Sequence, residues 1–172
     1  MELRHCNLSH LDAVIELNET VYAALPDQSV LRHNSAEMIA SCLDEPNVTL
    51  GYWDGNLLVA IGMLYVPQCM EEDHFHELGL QGEYHSANQK LFLVREAYRG
   101  LGLQRKLIRE VEKIARERGF NILCTTVAPN NSFSINNFLK EGYVYAKTEL
   151  KYGGLERNLP FAHDGAALST KH

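Results

Sequence analysis

The chain has 172 residues, of which 45% are hydrophobic and 22% charged, and it carries a formal net charge of −6. That length and balance suit one domain spanning residues 1–172 with a full apolar core. The acidic balance argues against nucleic-acid binding and favours a cationic partner, and the lack of a long apolar run or a signal-peptide pattern argues against a membrane span and for the cytoplasm.

Glu2 to Cys6 reads as a short strand. Ser9, with Asp12 three residues on, reads as the cap of a helix that turns Leu11, Val14, Ile15, Val21 and Tyr22 inward. Ser35 caps a second helix whose buried side is Met38, Ile39, Cys42 and Leu43, and Pro46 ends it. Val48 to Trp53 and Leu57 to Val66 flank Asp54-Gly55, a dipeptide suited to a tight hairpin, so two antiparallel strands are expected. From Pro67 to Asn88 the pattern dissolves into acidic and histidine-rich sequence, an insertion or loop. Its stretch from His74 to Glu77 lacks firm ligand spacing, so no metal is expected.

Leu91 to Val94 is continuously apolar, as in a central strand covered on both faces. Leu103, Leu107, Ile108, Val111, Ile114 and Ala115 then recur at helical spacing, and Gly119 closes that helix. Ile122 to Val127 is a further core strand, closed by Pro129. Asn130 or Asn131 caps a short helix that carries Phe133, Ile135, Phe138 and Leu139 and stops at Gly142. Tyr143 to Tyr152 and Arg157 to Phe161 read as two last strands turning at Gly153-Gly154, with a frayed tail after His163. Cys6, Cys42, Cys69 and Cys124 stand singly without a C-x-x-C pair and read as buried reduced thiols.

The most informative run is Val94 to Leu107, where an apolar strand empties into a glycine turn that opens an amphipathic helix. The first turn of a helix presents N–H groups without intrahelical partners and about half a positive charge, a ready seat for a phosphate. Gly100 and Gly102 let such a ligand approach the backbone. Arg99, Arg105 and Lys106 at a helix N-terminus are unfavourable unless an anion offsets them. The P-loop pattern is absent, and a G-x-G-x-x-G fingerprint would need glycine where Arg105 stands. On spacing alone, a plain strand-to-helix connection is the alternative.

Arg99-Gly100-Leu101-Gly102-Leu103-Gln104 resembles the acetyl-CoA signature R/Q-x-x-G-x-G/A of the GCN5-related N-acetyltransferase (GNAT) family, departing only at Gln104. Val127-x-x-x-Asn131-x-x-Ser134, ending in Gly142-Tyr143, is similar to a second stretch of that family, and the order of elements matches over nearly the whole chain. The resemblance implies a three-layer α+β fold: a mixed, mostly antiparallel, splayed sheet of six to seven strands flanked by about four helices. It implies acetyl-CoA as the acetyl donor. The pyrophosphate would be held by the backbone from Leu101 through Arg105, with Arg99, Gly100 and Gly102 shaping the turn and the Gln104 side chain pointing away. Phe92, Leu93 and Val94 would offer backbone groups to the pantetheine, and Asn131 and Ser134 would face it from the next helix.

Acetyl transfer needs an uncharged amine, a stabilised oxyanion and a proton for the departing thiolate. The tyrosine that serves as acid in many members falls at Phe138, and the usual carboxylate position falls at Asn88 and Gln89. Glu83 and His85 are the remaining candidates for proton removal. The expected activity is direct transfer to a primary amine of a cationic acceptor. The missing acid keeps open a non-catalytic acyl-CoA-binding or sensing module of the same fold. Edge strands near both ends could pair in a homodimer.

Overall fold

In a computed structural model the protein is described over residues 1–76, 84–151 and 154–163. Seven strands form one sheet: β1 (Glu2–Cys6), β2 (Val48–Asp54), β3 (Leu57–Tyr65), β4 (Ser86–Val94), β5 (Ile122–Val127), β6 (Lys147–Lys151) and β7 (Leu155–His163). Their order across the sheet is β1-β2-β3-β4-β5-β7-β6. Only β4 and β5 are parallel; every other neighbouring pair is antiparallel.

Helices cover both faces because each carries one apolar stripe. On one face lie α1 (Leu11–Ala23) and α2 (Ala36–Cys42), whose Val14, Leu17, Val21, Ile39 and Cys42 close over Ile61, Met63, Leu91 and Leu93. On the other lie α3 (Leu103–Glu117) and α4 (Ser132–Lys140); Leu103, Leu107, Ile108 and Val111 pack with Leu64, Ala87, Leu123 and Phe138. Each fully buried Val, Leu, Ile, Met or Phe side chain among them contributes roughly 1.5–3 kcal/mol of transfer free energy. Among the described residues no helix is long and apolar enough to cross a membrane.

The expected elements are present, with five local differences. The central strand β4 begins at Ser86, so Ser86, Ala87 and Asn88, the end of the stretch read as an insertion, are strand residues that pair with β5. Asn7, rather than Ser9, starts the first helical segment: its Oδ1 accepts the Ser9 N–H, and a single 3-10 turn, Leu8–His10, precedes α1. The hairpin turns at Gly55-Asn56, one residue later than expected, with Gly55 at φ +59°. The strand after α4 begins at Lys147 instead of Tyr143, whose ring is drawn into the core beneath it. Cys69 is exposed, whereas Cys6, Cys42 and Cys124 are buried. The tail after His163 lies outside the described residues.

One irregularity positions the site. Between the pairs Gly62–Phe92 and Leu64–Gln89, the single residue Met63 stands opposite both Lys90 and Leu91 of β4. A bulge of this kind turns two successive side chains to one face. Leu91 joins the α1–α2 core, and the Lys90 ammonium lies over the Tyr65 ring of the same core at 3.9 Å.

Candidate active site

The parallel pair β4–β5 holds for only three residues, Ser86, Ala87 and Asn88 against Ile122, Leu123 and Cys124. From Gln89 onward the two strands part, and β4 has no strand partner on that side. Its backbone N–H and C=O groups there form an open edge. Two cavities occupy the gap. The larger, about 430 Å³, is lined by residues that include Phe92, Leu93, Val94, Arg99, Asn131 and Ser134. The smaller, about 90 Å³, also touches Phe92, Asn131 and Ser134, so the two form one cleft.

At the far end of the larger cavity the chain turns through Gly100 (φ +82°) and Gly102 (φ +71°). A Cβ at either glycine would meet nothing within 4 Å, so the positive φ is what demands glycine. Gly102 caps α3 without a side-chain hydrogen bond. The Lys106 N–H donates to the Gly102 carbonyl at 3.1 Å, which leaves the N–H groups of Leu103, Gln104 and Arg105 without intrahelical acceptors. This is the geometry of an anion seat.

The Gln104 side chain does not point away as expected. It lies at the cavity wall, 7% exposed, donating to Ser134 Oγ at 2.9 Å and accepting from Asn137 Nδ2 at 2.9 Å. It therefore ties α3 to α4, and the Ser134 hydroxyl keeps its own proton to donate. Asn131 caps α4, its Oδ1 accepting the Ser134 N–H at 3.2 Å. Arg105 is accounted for without any ligand: its Nε donates to Glu141 at 2.5 Å, and Arg109 reaches the same carboxylate at 2.7 Å.

The sequence model of the Acetyltransferase (GNAT) family matches residues 12–143. The chain belongs to the GNAT acetyltransferase family. No curated protein matches it in sequence. Among solved structures, it resembles a GNAT-family acetyltransferase from Streptococcus pneumoniae, at 14% identity and a TM-score of 0.72 over 95% of this chain and 98% of that one. It also resembles yncA from Salmonella typhimurium with its cofactor acetyl-CoA, at 16% identity and a TM-score of 0.69 over 95% and 93%. A third is the ribosomal-protein-alanine N-acetyltransferase of Brucella melitensis, at 18% identity and a TM-score of 0.68 over 95% and 99%. At these identities the likeness is one of fold.

In this GNAT chain Phe138 is 1% exposed and packs edge-on against Phe92 and Tyr143, with ring centroids 5.6 and 5.0 Å away. Tyr143 does not stand in for that acid: it is 2% exposed and lines neither cavity, burial pushes its phenol well above the ordinary value, and its hydroxyl accepts from Gln89 Nε2. His85 is exposed at the closed end of the β4–β5 pair. Its N–H donates to Asn121 Oδ1 at 2.9 Å, its ring leans on Phe120, and it lines neither cavity. Glu83 lies outside the described residues.

The insertion is pinned to the start of β4. Glu72 accepts from the Tyr65 hydroxyl at 2.8 Å and, through its backbone carbonyl, from Asn88 Nδ2 at 2.7 Å; Asp73 accepts from Ser86 Oγ at 2.8 Å. Burial, with Glu72 beside it, pushes the Tyr65 phenol up to about 12, which leaves it protonated at neutral pH. Among the described residues no group of three or more His, Cys, Asp or Glu is placed to hold a metal ion. Residue-by-residue reading passed over Arg32, Lys90 and Arg157, which line the smaller cavity from the segment before α2, the β4 bulge and β7. A lysine directly before the apolar run Leu91 to Val94 was the available signal for one of them.

Proposed function

We propose that this chain transfers the acetyl group of acetyl-CoA directly to a primary amine. The observation that carries the proposal is the continuity of the open β4 edge with the glycine turn. An extended arm can run along Phe92, Leu93 and Val94 while its pyrophosphate meets the first-turn N–H groups of α3. The donor set fits such a ligand: the backbone from Leu101 through Arg105 for the phosphates, Arg99 at the turn, Asn131 and Ser134 on the opposite wall. Bound there, acetyl-CoA supplies an acetyl thioester and a thiolate leaving group.

The chain's own residues orient the arm, keep water away with Phe92 and Phe138, and offer the Ser134 hydroxyl as a donor. No cysteine lines the cleft among the described residues, which favours direct transfer over a covalent intermediate. A thiol with a pKa near 8.5 departs as thiolate at neutral pH for roughly 1–2 kcal/mol, so phenylalanine at the acid's place is a small handicap. The amine, with a pKa near about 10, must first lose a proton. Glu83 and His85 remain the candidates for accepting it.

The test is release of free CoA from acetyl-CoA in the presence of a panel of amines. Gly102→Glu forces a non-glycine residue to positive φ and sets a carboxylate in the anion seat. It should raise the Kd for CoA more than 100-fold and abolish turnover, with the melting temperature confirming a folded variant. Tight CoA binding without turnover of any amine would instead favour the non-catalytic module.

A further inference from the structure

The smaller cavity has a charge sign opposite to that of the whole molecule. Arg32, Lys90 and Arg157 line it, and no carboxylate lines either cavity among the described residues. Arg157 is 4% exposed, its guanidinium held in place by the carbonyls of Glu156 and Ser29 at 2.7 and 3.0 Å. Lys90 is half-buried, makes no hydrogen bond or ion pair with a described residue, and has only the Tyr65 ring beneath it. A partly desolvated ammonium in that position is costly without an anion. Burial above all, joined by the charge of Arg32, lowers its pKa below the ordinary value, and the Glu72 carboxylate offsets part of this. Three cationic side chains lining one cavity without a carboxylate suit a negative group.

We propose that the acceptor amine carries an anionic group, a carboxylate or a phosphate, held in this cavity by Lys90, Arg32 and Arg157. The assignment rests on acetyl transfer taking place in the adjoining part of the same cleft. Anchored by its anion, the acceptor points its amine back toward Phe92 and Ser134, the residues the two cavities share. A simple polycation is a poor fit, since it would bring more positive charge to a cavity lined by three cationic side chains.

The experiment measures CoA release with the α-amino acids, β-alanine and O-phosphoethanolamine, against ethanolamine, phenethylamine and spermidine. At least a tenfold higher kcat/KM is expected for the anion-bearing amines; β-alanine against O-phosphoethanolamine decides between carboxylate and phosphate. Lys90→Met should remove that preference by raising KM for the acids, while turnover of ethanolamine and the Kd for acetyl-CoA stay within twofold. Arg32→Gln, at an exposed residue, is the second variant and should act in the same direction. Calorimetry of the same acids on CoA-saturated protein reads the anion site without turnover. Equal or better turnover of ethanolamine or spermidine, or failure of every acid to bind, overturns the assignment. Anion binding that Lys90→Met weakens, with no CoA released from any amine, supports the anion site and overturns acetyl transfer instead.

Discussion

Gln104 stands where the resemblance leads one to expect glycine or alanine. Its amide fills the extra room by bonding Ser134 on one side and Asn137 on the other, so the larger side chain becomes a brace between α3 and α4. Gln104→Ala would strand the buried Asn137 amide and leave a void at the cavity wall. Urea denaturation should show a loss of about 1–3 kcal/mol, the usual consequence of unmaking buried hydrogen bonds. None of this was legible from the motif, because spacing shows where a residue falls on a helix and not which partners a second helix brings to it. The same holds for Lys90 and Arg157, which meet only when β4, β5 and β7 are assembled. By contrast, Gly100 and Gly102 could be read directly, since a left-handed turn is a property of the local chain.

At the scale of elements, two misplaced charges explain one another. Arg105 in the first turn of α3 opposes that helix's dipole, and Glu141 at the end of α4 opposes the other. Facing each other, with Arg109 as a third member, they turn two local penalties into one interhelical clamp. The cations at the start of α3 look from sequence like a phosphate's partners; for Arg105 the partner is Glu141. Burial raises the Glu141 carboxyl, but the hydrogen bonds and charges of Arg109 and Arg105 outweigh it and hold the pKa below the ordinary 4.5. A group depressed in the folded state contributes stability above its unfolded pKa and loses it as the pH falls through the folded value. Glu141→Gln should therefore cost about 1–3 kcal/mol at pH 7 in chemical denaturation, and the difference from the parent should shrink below about pH 4.5. Helices and strands were readable because each carries its own apolar period. The start of α1 and the hairpin turn shifted because Asn7 caps earlier than Ser9 and the positive φ falls on the first turn residue rather than the second.

For the whole molecule, net charge and local charge point in different directions. An acidic total describes solubility and long-range steering, whereas recognition is decided by the few charges that face the ligand. Summing residues along the chain loses that distinction, and only the fold restores it by drawing three cations to one cavity. The fold itself places one core on each face of a shared sheet, so unfolding should be a single transition. CoA at about 100 times its Kd should stabilise that transition by about 2.7 kcal/mol, or roughly 5–10 °C in melting temperature for a domain of this size. Differential scanning fluorimetry with inorganic phosphate as the control tests this; equal shifts with both would deny any contribution from the cleft beyond the anion seat.

The parting of β4 from β5 has a mechanical consequence. The strands β1 to β4 and the strands β5 to β7 are stitched to each other by three residue pairs, and α3 and α4 bridge the rest. Whatever fills the gap becomes a structural member shared by both halves. A ligand lying in the gap would brace the sheet where its own pairing is least continuous.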